Sequence, residues 1–213
     1  MASVLPVDHP QLAVRDLHLW RGDKHLLRGV SFQVSAGELL QIMGPNGVGK
    51  TSLLRCVAGL LPVESGEIEW QGRVCTHSLG VLHQHLAYLA HLNALKGELT
   101  AAENLRYAIG LRRHVTSAEI AKTFDRLQIA HCADLPVRAL SAGQKRRVSI
   151  ARVLLSHAAV WILDEPITNL DAAGIQLVEE LMAEQMAGGG LIVTAAHQTL
   201  LNGKPNVRTL ALH

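Results

Sequence analysis

Apolar and polar residues alternate over LAVRDLHLW (12–20), which predicts a half-buried strand. VSFQV (30–34) and ELLQIM (38–43) predict two more strands, divided by the turn Ser35-Ala36-Gly37. A glycine-rich stretch follows, and then SLLRCVAGLL (52–61) predicts a helix stopped by Pro62. ESGEIEWQG predicts a short turn and strand. The middle of the chain changes period. ELTAAENLRYAIGLRR (98–113) and SAEIAKTFDRLQIA (117–130) predict amphipathic helices. Thr100 with Glu103 forms a capping box for the first, and Ser117 is the expected cap of the second. After PVRAL come a helix (AGQKRRVSIARVLLSHA), a strand (AVWILDEP), a helix (AAGIQLVEELMAEQ) and a strand (LIVTAAH). Strand and helix alternate at both ends around a helical block. The expected fold is α/β with a mostly parallel core sheet, an N-terminal antiparallel β portion and a helical insert. We expect a single domain over 1–213, with a helical subdomain inserted at roughly 95–157.

Composition narrows the function. The 213 residues are 48% hydrophobic and 18% charged, which suits one globular domain and not a disordered chain. Lys+Arg 20 against Asp+Glu 18 leaves a net charge of +2, and aromatics are only 3%. Both argue against a nucleic-acid partner. No apolar run approaches the roughly 18–20 residues that span a bilayer. MASVLPVDHPQ has no basic segment followed by an apolar one, as a secretory signal would. Cys56, Cys75 and Cys132 are scattered, without disulfide or zinc spacing, so we expect a reducing compartment. His83, His85 and His91 cluster among twelve histidines, but at no standard zinc spacing, and are expected to be solvated or locally bonded.

Three segments carry chemistry. Gly44-Pro45-Asn46-Gly47-Val48-Gly49-Lys50-Thr51 fits GxxxxGK[ST], after a predicted strand and before a predicted helix. Successive backbone N–H groups and a helix N-terminus make a concave anion site there. Lys50 is placed to reach β- and γ-phosphates and the Thr51 hydroxyl to bind Mg²⁺; Ser52 completes the expected ATP cradle. In VWILDEP (160–166) a buried strand ends in two carboxylates, at the edge where open parallel sheets bind ligands. Asp164 is expected to hold Mg²⁺ and Glu165 to polarise the attacking water. Leu140-Ser141-Ala142-Gly143-Gln144 precedes a helix. A hydroxyl, a glycine N–H and a helix dipole there suit a second phosphate clamp, with Ser141 as N-cap. One ATP already has a full cradle, so this clamp is expected to serve the ATP of another subunit.

Phosphate loop, LSAGQ, ILDEP, NLD at 169–171 and His197 after LIVTAA occur in that order. The set resembles the nucleotide-binding subunits of ABC transporters over the whole chain. Within them, ELTAAENLRYA, PVRALSAGQKRRVSIAR and WILDEPITNLD resemble the haem-exporter ATPases of cytochrome c maturation. The resemblance implies a head-to-tail homodimer that hydrolyses MgATP, docked on integral membrane transporter subunits at the cytoplasmic face of the cell inner membrane, with no direct contact to the cargo. It implies that Ser141, Gly143 and Gln144 meet the partner's nucleotide, that Asp171 crosses the dimer interface, that His197 contacts the γ-phosphate and that Trp20 stacks on adenine. Ala142 replaces the usual second glycine of the signature. Leu92 stands where such proteins carry a glutamine near Mg²⁺ and the attacking water; Gln84 lies earlier, before or within the strand, and His91 is a replacement donor. Rival readings are a soluble ABC ATPase driving a non-transport machine, a phosphate-loop kinase with a small-molecule acceptor, and the ATPase subunit of another small ABC importer or exporter. The first lacks its paired halves or coiled coil here, and the second would lack LSAGQ.

Overall fold

The structure, a computed structural model, describes residues 11–213. The chain opens with β1 (Gln11–Arg21), β2 (Lys24–Ser35) and β3 (Leu39–Met43), then α1 (Lys50–Val57). β4 (Ser65–Trp70) and the two-residue β5 (Arg73–Val74) precede a short α2 (Gly80–His85) and β6 (Leu86–Leu89). Three helices follow: α3 (Ala101–Gly110), α4 (Ser117–Arg126) and α5 (Ala142–Leu155). β7 (Val160–Asp164), α6 (Ala172–Ala187), β8 (Leu191–Ala195) and β9 (Val207–Ala211) complete the order.

The residues sort into two compact units. One comprises, of the described residues, those from Gln11 to Tyr88, Ala158–Glu165 and Glu179–His213. It holds an antiparallel sheet, β2-β1-β4-β5, and a five-stranded sheet, β6-β7-β8-β3-β9, in which β7–β8, β8–β3 and β3–β9 pair in parallel. Its core joins Leu12 and Val14 of β1, Leu53 and Val57 of α1, and Ile162 and Val193 of the parallel strands. The strands VWILD and LIVTA are buried at every position, and their VWIL and LIV runs are apolar without alternation, as parallel strands covered on both faces require. The other unit comprises Leu89–His157 and Pro166–Val178 and is built on α3, α4 and α5.

Several expectations are corrected. β2 begins at Lys24, not at residue 30, because it forms a hairpin with β1 from Arg21↔Lys24 onward. α1 runs 50–57, not 52–61. Gly59 adopts φ +68, its N–H bonds Cys56 O, and Leu60 N–H bonds Arg55 O. That left-handed cap ends the helix before Pro62 is reached. The cap of α4 is Thr116, not Ser117. Thr116 Oγ1 accepts from Glu119 N at 3.2 Å, and Glu119 Oε2 accepts from Thr116 N at 2.8 Å. The reciprocal pair needs a spacing of three, which Ser117 does not have with Glu119. The capping box of Thr100 and Glu103 is present as expected. α2, β5 and β9 carry too few residues of clear period to be predicted.

Glu119 also pairs with Arg113 at 2.9 Å. The Thr116 N–H, then the Arg113 guanidinium, hold its carboxyl down to about 2 from an ordinary value of 4.5. A depressed folded value means that the cap stabilises fully above pH 4.5 and is lost as pH falls through about 2. A ¹³C titration of the Glu119 carboxyl should therefore give a midpoint near 2. A midpoint at the ordinary value would show that the carboxylate takes no part in the cap.

Candidate nucleotide site

In the first unit, β3 ends at Met43 and the chain turns through Gly44–Gly49 into α1. Gly49 is the N-cap of α1 with φ +114 and no side-chain cap. A Cβ there would stand 2.8 Å from Leu27 Cδ2, so the position requires glycine on both counts. The first-turn N–H groups of α1 thus point from a helix start with no side chain across it. A Cβ at Gly47 would meet nothing within 4 Å, which marks the open side of the loop. Lys50 is only 7% exposed, and its Nζ donates to Gly44 O at 2.7 Å and Pro45 O at 3.0 Å. An ammonium has three donors, so one remains for a ligand.

Thr51 Oγ1 donates to Asp164 Oδ1 at 3.1 Å, joining the start of α1 to the end of β7. Asp164 is buried, and its charge together with burial pushes the Tyr88 phenol up to about 12, burial being the larger cause. A hydroxyl and a carboxylate oxygen beside open backbone N–H groups are a hard donor set that fits Mg²⁺ and a nucleotide phosphate. Glu165 follows directly. Its φ is +50, uncommon for a residue with a Cβ, and its N–H bonds Ala195 O at 2.8 Å. That turn brings its carboxylate Oε1 to 3.2 Å from His197 Nε2. Strain of this kind gathers where function fixes a side chain. Trp20, at 39% exposure, lies flat on His25, the ring centroids 3.6 Å apart and the planes at 7°. His25 in turn meets His18, with 3.0 Å between ring nitrogens.

In the second unit Ser141 caps α5, and Gln144 completes a capping box by accepting from Ser141 N at 2.8 Å. The family resemblance implies a nucleotide contact for Gln144; in the structure its Nε2 also lies 3.3 Å from His131 Nε2. Asp171 Oδ1 accepts from Gly174 N at 2.9 Å and from Arg147 at 3.1 Å. Those bonds hold its carboxyl below the usual range, the Gly174 N–H first. Leu92 is 78% exposed, in a segment tied to α5 by Arg146 and Ser149. Gln84 lies on α2, just ahead of β6. Of the clustered histidines, His83 bonds Ala58 O at 2.9 Å, His85 stacks on Trp70, and His91 is exposed.

Within one unit the structure pairs Thr51 with Asp164 and Glu165 with His197, while Lys50 bonds the carbonyls of its own loop. Sequence reasoning singles out neither Gln41 nor the structural part of Arg146. The lone amide inside LLQIM is the signal that could have found the first.

Residues 27–168 match the family model described as ABC transporter. The chain belongs to the ABC transporter family. This ABC ATPase is 41% identical over 202 residues to the "Cytochrome c biogenesis ATP-binding export protein CcmA" of Vibrio parahaemolyticus, covering 94% of the chain and 98% of that relative. A protein of the same description from Salmonella typhi is 40% identical over 201 residues, covering 94% and 96%. A solved structure described as a putative ABC transporter ATP-binding protein from Pyrococcus furiosus superposes with a TM-score of 0.82 at 24% identity, covering 95% and 98%. The last likeness concerns the fold. Its antiparallel sheet, parallel five-stranded sheet and helices are those expected from the sequence. As an ATP-binding cassette of this family, the chain binds and hydrolyses ATP. No described helix is long and apolar enough to cross a membrane.

Proposed function

We propose that this chain is the ATP-hydrolysing subunit of a cytochrome c biogenesis export complex, with haem as the cargo class that the complex serves. The observation that carries the site reading is the 3.1 Å bond from Thr51 to Asp164, which sets the phosphate loop beside the strand that ends at Glu165. Gly44–Ser52 hold the phosphates of ATP, and Lys50 supplies positive charge to them. Thr51 and Asp164 would hold Mg²⁺, which neutralises charge on the phosphates when bound. Glu165 orients the attacking water. His197, whose imidazole already meets Glu165 at 3.2 Å, contacts the γ-phosphate. Trp20 offers the adenine a flat ring. Phosphoryl transfer needs positioning and charge more than covalent help, and this set provides both.

Ser141, Gly143 and Gln144 complete the site of a second copy, head to tail, while Asp171 lies at the same interface. The pair docks on integral membrane subunits at the cytoplasmic face of the inner membrane and does not touch the cargo. Relatives described as export proteins and the lack of a membrane-spanning helix among the described residues support this arrangement. The helical block at roughly 95–157 is the insert that meets the membrane subunits.

Because the Ser141 clamp acts across two copies, ATP turnover per subunit should rise with protein concentration, releasing ADP and free phosphate. Phosphate release measured across a dilution series tests this, with light scattering as the measure of assembly. Constant specific activity in a population shown to be monomeric would overturn the shared-site reading. Phosphate transferred to a small-molecule acceptor would favour a kinase instead.

A further inference from the structure

Gln41 is the one polar residue of β3, a strand flanked by β8 on one edge and β9 on the other. It is 0% exposed. A carboxamide in such a place is tolerated only when its hydrogen bonds are met. Here Nε2 donates to Gln198 O at 2.7 Å and lies 3.1 Å from Met43 Sδ, while Oε1 accepts from Leu200 N at 3.0 Å. The partners fix which end of the amide is which, since an N–H meets one end and acceptors the other. Neither backbone bond belongs to the strand ladder. Both reach the segment that follows β8, immediately after His197. Glu179 Oε1 holds the same segment from α6 by accepting from Leu201 N at 2.9 Å.

His197 needs such a restraint. Its side chain is 59% exposed, so packing does little to fix it, yet its Nε2 stands 3.2 Å from Glu165 Oε1. An exposed imidazole keeps that distance only if its backbone is held. Gln41 holds that backbone from a strand whose next turn is the phosphate loop itself, two residues on from Ile42.

We propose that Gln41 is a positioning residue for ATP hydrolysis: it clamps the chain after His197 and so sets the imidazole against Glu165. The inference rests on the roles given above to His197 and Glu165. Gln41 touches no reacting atom, and it acts only through the segment that it ties down.

The test is a kinetic cycle on the full chain. Gln41→Met keeps length and loses the amide. It should lower kcat about tenfold and leave the KM for ATP within about twofold. In a His197→Ala background the same substitution should add almost nothing, because its target is gone. Since the apolar variant risks failing to fold, Gln41→Asn serves beside it. It keeps the amide but is one methylene short of holding both Gln198 O and Leu200 N, and it should lower kcat about threefold or more. A folded Gln41→Asn with the wild-type kcat overturns the proposal. So does a further tenfold loss on adding Gln41→Met to His197→Ala, or a raised KM at unchanged kcat. If His197→Ala alone keeps the wild-type kcat, the role of His197 falls first and this proposal with it. Loss in His197→Ala without loss in either Gln41 variant overturns the proposal alone.

Discussion

Glu165→Gln should lower ATP turnover by about a hundredfold to a thousandfold while leaving ATP affinity within about twofold. The carboxylate is the group proposed to orient water, and the amide keeps its size while losing its charge. The turn that presents it survives the change. Its φ of +50 is held by the N–H bond to Ala195 O, and that bond does not depend on the side chain. The amide oxygen can still accept from His197, so the local packing is kept as well. With hydrolysis blocked and binding intact, ATP should hold two copies together. A nucleotide-dependent shift on size exclusion would register that state. Near-normal hydrolysis by the variant would remove Glu165 from the reaction.

Arg146→Met should destabilise the chain by about 3 kcal/mol. The guanidinium is 1% exposed, donating to Pro166 O at 3.1 Å, Ala90 O at 2.8 Å and Asn93 Oδ1 at 3.3 Å. These acceptors lie on two separate stretches of the second unit, so one side chain fastens both to α5. Methionine fills the stem's volume but leaves the carbonyls without a donor. For a chain of this length the loss corresponds to a fall in Tm of roughly 9 °C. Arg146→Lys should be little better, since a single ammonium cannot reproduce a planar fork aimed at separated acceptors. Thermal unfolding of both variants checks this. A melting temperature within a degree or so of the wild type would show that the buried fork contributes little to stability.

Much of the site is legible in the amino-acid order alone. The phosphate loop, the carboxylates after VWIL and the LSAGQ segment depend on local spacing, and local spacing is what a sequence displays. The same holds for the capping box of Thr100 and the N-cap at Ser141. The features that stay hidden depend on partners distant in the chain. Arg146 sits in a basic run, Lys145-Arg146-Arg147, and nothing local marks it as the one of the three that is buried against Pro166 and Ala90. Gln41 finds an acceptor 157 residues away. Trp20 reads as open to a base, whereas His25 from the next strand already covers one face. β9 escapes notice because five residues of mixed polarity give no period; it is a strand only because β3 offers it an edge.

The three tryptophans differ sharply in environment. Trp70 and Trp161 are buried, whereas Trp20 stands at the surface with its ring laid on an imidazole. A dissolved collisional quencher such as iodide therefore reaches one indole and is screened from the other two. The quenchable part of the emission belongs to Trp20, and any molecule that covers its ring alters that part alone. The protein carries a built-in optical reporter at the place assigned to the base, so nucleotide occupancy can be followed by ordinary fluorescence without attaching a dye.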